Sequence, residues 1–237
     1  MVGDMTASRT ARERVRAELT REITDIARRQ LAIEGAGGLS LRAVAREMGM
    51  VSSAIYRYFP SRDDLLTALI IDGYNALGAA VEAADAAGAP AGFAGRWLAV
   101  CHAVRDWALA HPHEYTLLYG SPVPGYQAPE ETIEARLRDV TVFGRIVSQA
   151  YEAGALTPPD LAPPVPAALS GDADNLRQIM PGVPDDLIFR GLTAWTGLYG
   201  WVNFEVFGQF ENTIEDRRGG FEQSMGTLGA LLGLRPA

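Results

Sequence analysis

At 237 residues and 48% hydrophobic, the chain is long enough for one small domain and a larger one with its own core. Its single cysteine, Cys101, excludes an internal disulfide and fits a reducing cytoplasm. The N-terminus has no apolar stretch of the signal-peptide kind, and no uninterrupted run reaches the roughly 18 apolar residues of a membrane span. The net charge of −8 is unevenly spread: residues 1–65 hold 11 Arg against 9 acids, a balance of +2, and residues 66–237 hold 10 Arg against 20 acids, a balance of −10. There is no lysine, which GC-rich coding explains without any functional role.

Residues 9–34 read as a first helix. Val15, Leu19, Ile23, Ile26, Ala27 and Leu31 recur at steps of three and four and form one apolar stripe, with Arg12, Arg14, Arg16 and Arg21 off it. After the link Gly35-Ala36-Gly37-Gly38, Ser40 can accept an early backbone N–H and open a second helix. Leu41, Val44, Ala45 and Met48 give that helix its apolar face, and Gly49 permits the left-handed backbone that ends it. About two further turns run through Ala54, Ile55 and Tyr58 until Pro60 stops them. Ser61 and Asp64 make a capping-box-like pair at the head of a fourth helix, which continues through Leu65, Leu66, Leu69, Ile70, Tyr74 and Leu77. Residues 88–92 break it.

Phe93, Trp97, Val100, Val104, Trp107 and Ala108 define a fifth helix that Pro112 closes, with His111 placed to cap its C-terminus. A short piece, residues 113–119, leads to a turn-rich link over residues 120–125. Residues 130–153 are predicted helical, with Ile133, Leu137, Val140, Val147 and either Phe143 or Gly144 on one side. Seven prolines between residues 157 and 184 predict a surface loop. Asp185 and Asp186 open the next helix, to about residue 210. It is apolar nearly all round and is therefore expected to be buried on every face, with Gly191, Ala194, Gly197 and Gly200 admitting another backbone. Phe221, Met225, Leu228 and Leu232 mark the last helix; no strand pattern and no internal repeat occurs, so the predicted class is all-α.

The two short helices on either side of Gly49 make a helix-turn-helix, whose second member enters the DNA major groove. The run Ser40-Leu41-Arg42-Ala43-Val44-Ala45, then Gly49, Ile55-Tyr56-Arg57-Tyr58-Phe59 and Ser61-Arg62-Asp63-Asp64-Leu65, resembles the TetR family of bacterial transcriptional repressors over residues 9–77. Residues 107–120 more loosely resemble a regulatory domain of the WHG type found in some members. The resemblance implies a three-helix DNA-binding domain, placed here at residues 1–60, and a larger helical ligand-binding and dimerisation domain at residues 61–237. An acidic second domain beside a mildly basic first one suits such a division.

Arg42 opens the motif's first helix, where family members use Arg on a base or phosphate; Arg can bond guanine O6 and N7 together. Ser52 and Ser53 lie at the end of the recognition helix that points at base edges. Tyr56 and Tyr58 can donate to phosphates, Arg57 can reach phosphate or base, and Arg62 adds its charge to a helix dipole at a phosphate. The family usually has Ser or Thr where this chain has Val51, which points to Ser52 as the N-cap and would withdraw it from base reading. For a ligand, Trp107, Tyr115, Tyr119, Phe143, Trp195 and Tyr199 are the candidates, as aromatics with a few polar tips suit a mostly apolar small molecule.

His111-Pro112-His113-Glu114 lacks the spacing of a metal site, and neighbouring residues Cys101 and His102 project about 100° apart on a helix, away from nucleophile–base geometry. No metal, cofactor or catalytic set is expected. The reading is a cytoplasmic, homodimeric repressor, paired through its two C-terminal helices and released from a palindromic operator by a lipophilic or aromatic inducer. The alternatives are a ligand-independent or protein-controlled regulator or activator, and, least supported, an enzyme.

Overall fold

A computed structural model describes residues 3–157, 159 and 163–235, with side chains from residue 12 onward. Among the described residues the chain is all-α, with eleven helices and no strand. They fall into two compact units, residues 1–73 with 113–132, and residues 74–112 with 133–237. The division therefore runs through the fourth helix, where residue 60 was the expected boundary, and the first unit recruits a segment from beyond residue 110.

In the first unit, α1 spans Gly3–Gly38, α2 Leu41–Glu47 and α3 Ser52–Ile55. α4, Arg62–Gly88, contributes its first twelve residues, and α6, Pro112–Tyr119, all but its first. α1 is longer than the sequence suggested, but Gly35 (φ 66°, ψ 177°) interrupts it near the predicted end. Its apolar stripe is shorter than predicted: Ile23, Ile26, Ala27 and Leu31 are buried, while Val15 is 54% exposed. At 1.5 Å per residue a 36-residue helix outruns so small a core. The core closes with Leu39, Leu41, Val44, Ala45, Ile55, Phe59, Leu65, Leu66 and Leu69, and Leu117, Val123 and Tyr126 pack against it. Tyr126 also shares a 2.9 Å hydrogen bond with Thr67. Arg29 ties α1 to α2 through Glu47 (2.8 Å).

The second unit is built on α5 (Gly92–Ala110), α8 (Arg138–Glu152), α10 (Asp185–Val206) and α11 (Arg217–Leu232). Trp97 centres it, meeting the Phe143 ring edge-on at 5.3 Å and donating its indole N–H to Met225 O at 2.8 Å. Gly229 leaves the room: a Cβ there would lie 3.0 Å from the Trp97 ring. The predicted 130–153 helix is two pieces, α7 (Thr132–Arg136) and α8, and Ile133 and Leu137 are exposed rather than on a buried side. Arg138 just past the break is held by Glu82 (2.7 Å) and by Asn75 O and Oδ1 (3.1 and 2.8 Å).

The predicted 157–184 loop is partly ordered as helix. Residues 167–180 lie between its prolines, keep their N–H groups, and form a 3-10 turn and α9 (Ser170–Leu176) around buried Ala173. Residues 158 and 160–162 lie outside the described residues. α10 is not covered on every face: Phe204 is 53% exposed, and Phe207 just beyond the helix is also exposed. Its small residues admit side chains rather than a backbone, Met180 against Gly191 and Leu228 against Gly197, while Gly200 has open space beside it.

Two buried ion pairs brace the second unit. Arg105 on α5 makes a two-pronged contact with Glu205 on α10 (2.8 and 2.5 Å). Asp85 on α4 accepts from Arg96 at 2.6 Å and from Arg145 at 2.9 Å. Burial pushes the Asp85 carboxyl up, but the bonds and charges of Arg96 and Arg145 more than offset this and hold it below its ordinary value. A carboxylate depressed in the folded state contributes stability above its unfolded pKa, and that stability is lost as pH falls through the folded value. Asp85→Ala is therefore expected to cost about 3 kcal/mol at pH 7. The penalty should shrink toward pH 3, as read from denaturation midpoints at the two pH values.

Candidate nucleic-acid interface

Ser40 caps α2, accepting from Ala43 N at 3.4 Å, and the burial of Leu41, Val44 and Ala45 turns Arg42 outward. Gly49 (φ 66°) reverses the chain, and Met50 N donates to Ala45 O at 2.9 Å. α3 is one α-helical turn where about two were predicted. Tighter bonds continue it, Arg57 N to Ala54 O (3.2 Å) and Tyr58 N to Ile55 O (2.9 Å). Phe59 precedes Pro60, which disfavours the helical backbone at that residue.

Ile55 is fully buried and Phe59 nearly so, so the opposite side of this turn faces outward. Ser52, Ser53, Tyr56 and Arg57 are exposed there. Tyr58 is half-buried against the core, with the Arg16 guanidinium 5.5 Å from its ring centre. Arg16 also donates to Arg57 O at 3.2 Å, which fixes the far end of the recognition segment. Sequence spacing held no signal for that contact.

Two expectations change. The N-cap of α3 is Val51, not Ser52; Val51 is extended (φ −66°, ψ 137°), makes no capping bond, and is 71% exposed. Ser52 is thereby one position inside the helix and is not taken up by capping. A Ser, Thr, Asp or Asn at the cap would contribute about 0.5–2 kcal/mol, so the local helix is less stable than it could be. Arg62 was expected at a phosphate. Its Nε donates to Leu39 O (3.1 Å) and one terminal nitrogen to Ala36 O (2.5 Å) and Gly37 O (3.4 Å). It is bound to the link between α1 and α2. The Ser61–Asp64 pair at the head of α4 forms as predicted, with Asp64 N donating to Ser61 Oγ at 3.1 Å.

Two sequence profiles match the chain: "Bacterial regulatory proteins, tetR family" over residues 23–69 and "Tetracyclin repressor-like, C-terminal domain" over residues 97–228. The HTH-type transcriptional regulators Mb1846 of Mycobacterium bovis and Rv1816 of Mycobacterium tuberculosis are each 40% identical over 205 residues, 85% of this chain and 85% of theirs. The chain belongs to the TetR family. Among solved structures, SCO4313 superposes with a TM-score of 0.75 at 36% identity, covering 91% of this chain and 97% of that one. A Rhodococcus sp. RHA1 protein gives 0.66 at 26% identity, covering 87% and 93%. As a TetR-family member the chain is a DNA-binding transcriptional regulator with an N-terminal helix-turn-helix.

The aromatics considered for a TetR-type ligand do not share one compact unit. Tyr115 and Tyr119 are in the first, rings 5.1 Å apart, and burial pushes the Tyr115 phenol up. Trp107, Phe143, Trp195 and Tyr199 are in the second. Trp107 stacks on His111 at 5.2 Å; His111 stands at the C-cap of α5, its backbone N–H donating to Trp107 O at 2.9 Å and its ring Nδ1 3.1 Å from the same oxygen. Trp195 and Tyr199 lie 5.2 Å apart, and the Tyr199 hydroxyl donates to buried Asp139. Burial pushes the Asp139 carboxyl above its ordinary range, and that bond offsets part of the rise. The Trp195 indole N–H is buried without a partner.

An open cleft of about 780 Å³ in the second unit is lined instead by Arg105, Glu205, Asn212, Thr213, Ile214, Glu215 and Arg217. None of the six aromatics lines it. Among the described residues no three His, Cys, Asp or Glu side chains gather to hold a metal. Cys101 is fully buried and its thiol is pushed up, so it stays protonated. A stretch within residues 62–110 is long and apolar enough to cross a membrane, unlike the expectation from uninterrupted apolar runs, but 56% of its most apolar window is buried as a core helix would be.

Replacing Arg62 with Ala should destabilise the first unit by about 1.5–3 kcal/mol, the range for hydrogen bonds to a charged donor. The dependence of operator affinity on salt should stay unchanged if Arg62 holds the link rather than a phosphate. Urea titration and a salt series of anisotropy measurements check the two halves.

Proposed function

We propose that this TetR-family regulator is a homodimeric repressor that holds a near-palindromic operator with α2 and α3 and leaves it when a small lipophilic or aromatic molecule binds its second unit. The observation that carries the DNA half is the two-sidedness of α3. Ile55 and Phe59 are buried, while Ser52, Ser53, Tyr56 and Arg57, with Arg42 nearby on α2, face outward. In this reading Ser52 and Ser53 meet base edges, Arg42 reads a guanine, and Tyr56, Tyr58 and Arg57 hold phosphates. Arg16, beside Tyr58, joins the phosphate contacts.

The dimer rests on α10 and α11. The exposed Phe204 and Phe207, with open space at Gly200 and Gly226, make a face suited to a twin copy related by a two-fold axis. The ligand half is supported by Trp195, whose unpartnered N–H lies beside Tyr199 and could serve an acceptor on an otherwise apolar molecule. A ligand favouring a dimer with the wrong head spacing weakens DNA binding by the same coupling energy. A ligand-independent regulator is the second reading. It is favoured by Phe143 and Trp107, which are packed on Trp97 and His111 within the chain.

Arg42→Ala is expected to cost about 1–3 kcal/mol of operator binding and to relax preference at one base pair per half-site, measured by anisotropy on single-position operator variants. A loss equal at all positions would remove Arg42 as a base reader. For the dimer, Phe204→Glu with Phe207→Glu should give a monomer in sedimentation and abolish tight binding to the two-half-site duplex. A variant that stays dimeric would move the interface elsewhere.

A further inference from the structure

The recognition segment carries one well-exposed apolar side chain at its leading end, Val51. Val51 stands at the N-cap of α3, the end that meets base edges when a helix of this kind enters the major groove. It is 71% exposed, although its neighbours in the motif with apolar side chains, Met50, Ala54 and Ile55, are all at least half-buried. It makes no capping bond, and it stands where Ser, Thr, Asp or Asn would stabilise the helix. Departures from local preference that bring no compensating contact inside the molecule are expected at functional positions. Flanking it on the same exposed end are the hydroxyls of Ser52 and Ser53.

In the major groove an apolar side chain has one distinctive partner, the C5-methyl group of thymine, which projects further than any ring C–H beside the polar donors and acceptors. We propose that Val51 is a specificity-determining residue that reads a thymine methyl in each half-site. This rests on the assignment of α3 to the major groove and adds to it one base identity. Cytosine, which lacks the methyl, would leave the isopropyl group against water or a polar edge. The contact involves no phosphate, so it contributes nothing to the salt dependence of binding. Valine's branched Cβ also favours the extended backbone seen at residue 51, which is the purely structural account of its choice. The test must separate the two.

The probe is the duplex enriched by the full-length protein from a randomised DNA pool, then resynthesised with deoxyuridine in place of each thymidine in turn, symmetrically in both half-sites. Removing the methyl at one thymine position should weaken wild-type binding about fourfold per half-site, the effect of burying one methyl-sized group. Val51→Ala should bind the unmodified duplex more weakly and lose that sensitivity, with the salt slope unchanged. Val51→Ile should keep it. A flat uracil scan with the wild-type protein, or a Val51→Ala variant with undiminished sensitivity at the same position, overturns the proposal and leaves the DNA-binding role standing. If no sequence is enriched from the pool at all, the assignment of α3 to the groove fails, and this inference fails with it.

Discussion

A helix of one turn does not hold its own shape. Nucleating it fixes several backbone angles for very few hydrogen bonds, and beyond Ile55 the segment adds two bonds of the tighter turn type and one α-type bond, Phe59 N to Ile55 O. Its geometry is imposed from beneath, by Ile55 at the centre of the first unit's core and by Phe59 where the chain leaves for α4. Ile23 and Ile26 on α1, Val44 and Ala45 on α2, and Leu65 and Leu66 on α4 supply the surface that receives them. The outward direction of Ser52, Ser53, Tyr56 and Arg57 follows from that burial. A cavity-forming change at Ile55 would thus disturb recognition without touching a residue that faces DNA.

Arginine supplies every fixed cation in this chain, and its planar fork is used repeatedly on main-chain oxygens at the ends of elements. Arg62 holds the α1–α2 link, Arg190 reaches Leu231 O and Leu232 O at the end of α11, Arg177 holds Val183 O, and Arg16 holds Arg57 O. Helix C-termini leave carbonyls unpaired, and a cation there meets both the lone pairs and the dipole. An ammonium would offer the charge without the fixed pair of directions. Position near the motif does not by itself assign an arginine to DNA: Arg62 also donates to Leu39 O, Ala36 O and Gly37 O.

The sequence made the helices legible wherever an apolar period had a marked head: caps at Ser40 before α2 and at Ser61 with Asp64 before α4, and the acids Asp185 and Asp186 in the first turn of α10. It was silent on three kinds of feature. The break at residue 137 has no proline or glycine to announce it, and the partners of Arg138 beside it, Glu82 and Asn75, lie more than fifty positions away. Recruitment of residues 113–132 into the first unit depended on Leu117, Val123 and Tyr126 packing on a distant core. The outward-facing residues of the motif could be named because burial of Ile55 and Phe59 leaves one side free. The aromatic candidates in the rest of the chain could not be sorted, since Phe143 on Trp97 and Trp195 near Tyr199 have the same helical periodicity in sequence and differ only in whether their polar and ring surfaces find partners.

Those unmet surfaces have a common logic. A chain selected only to fold would cap α3 with a hydroxyl or carboxylate, cover Phe204 and Phe207, and give the Trp195 N–H an acceptor. The missing capping bond at Val51 and the unpartnered Trp195 N–H each cost stability locally. Other groups of the second unit are satisfied: Arg105 and Glu205 are paired in both directions, Asp85 has two partners, and the Trp97 indole has its carbonyl. Unpaired buried atoms also occur away from Trp195, at His102 Nδ1, Ser148 Oγ, Arg190 Nε and Trp201 Nε1, so an open polar group marks a binding residue only where a second feature, such as an exposed face, stands beside it.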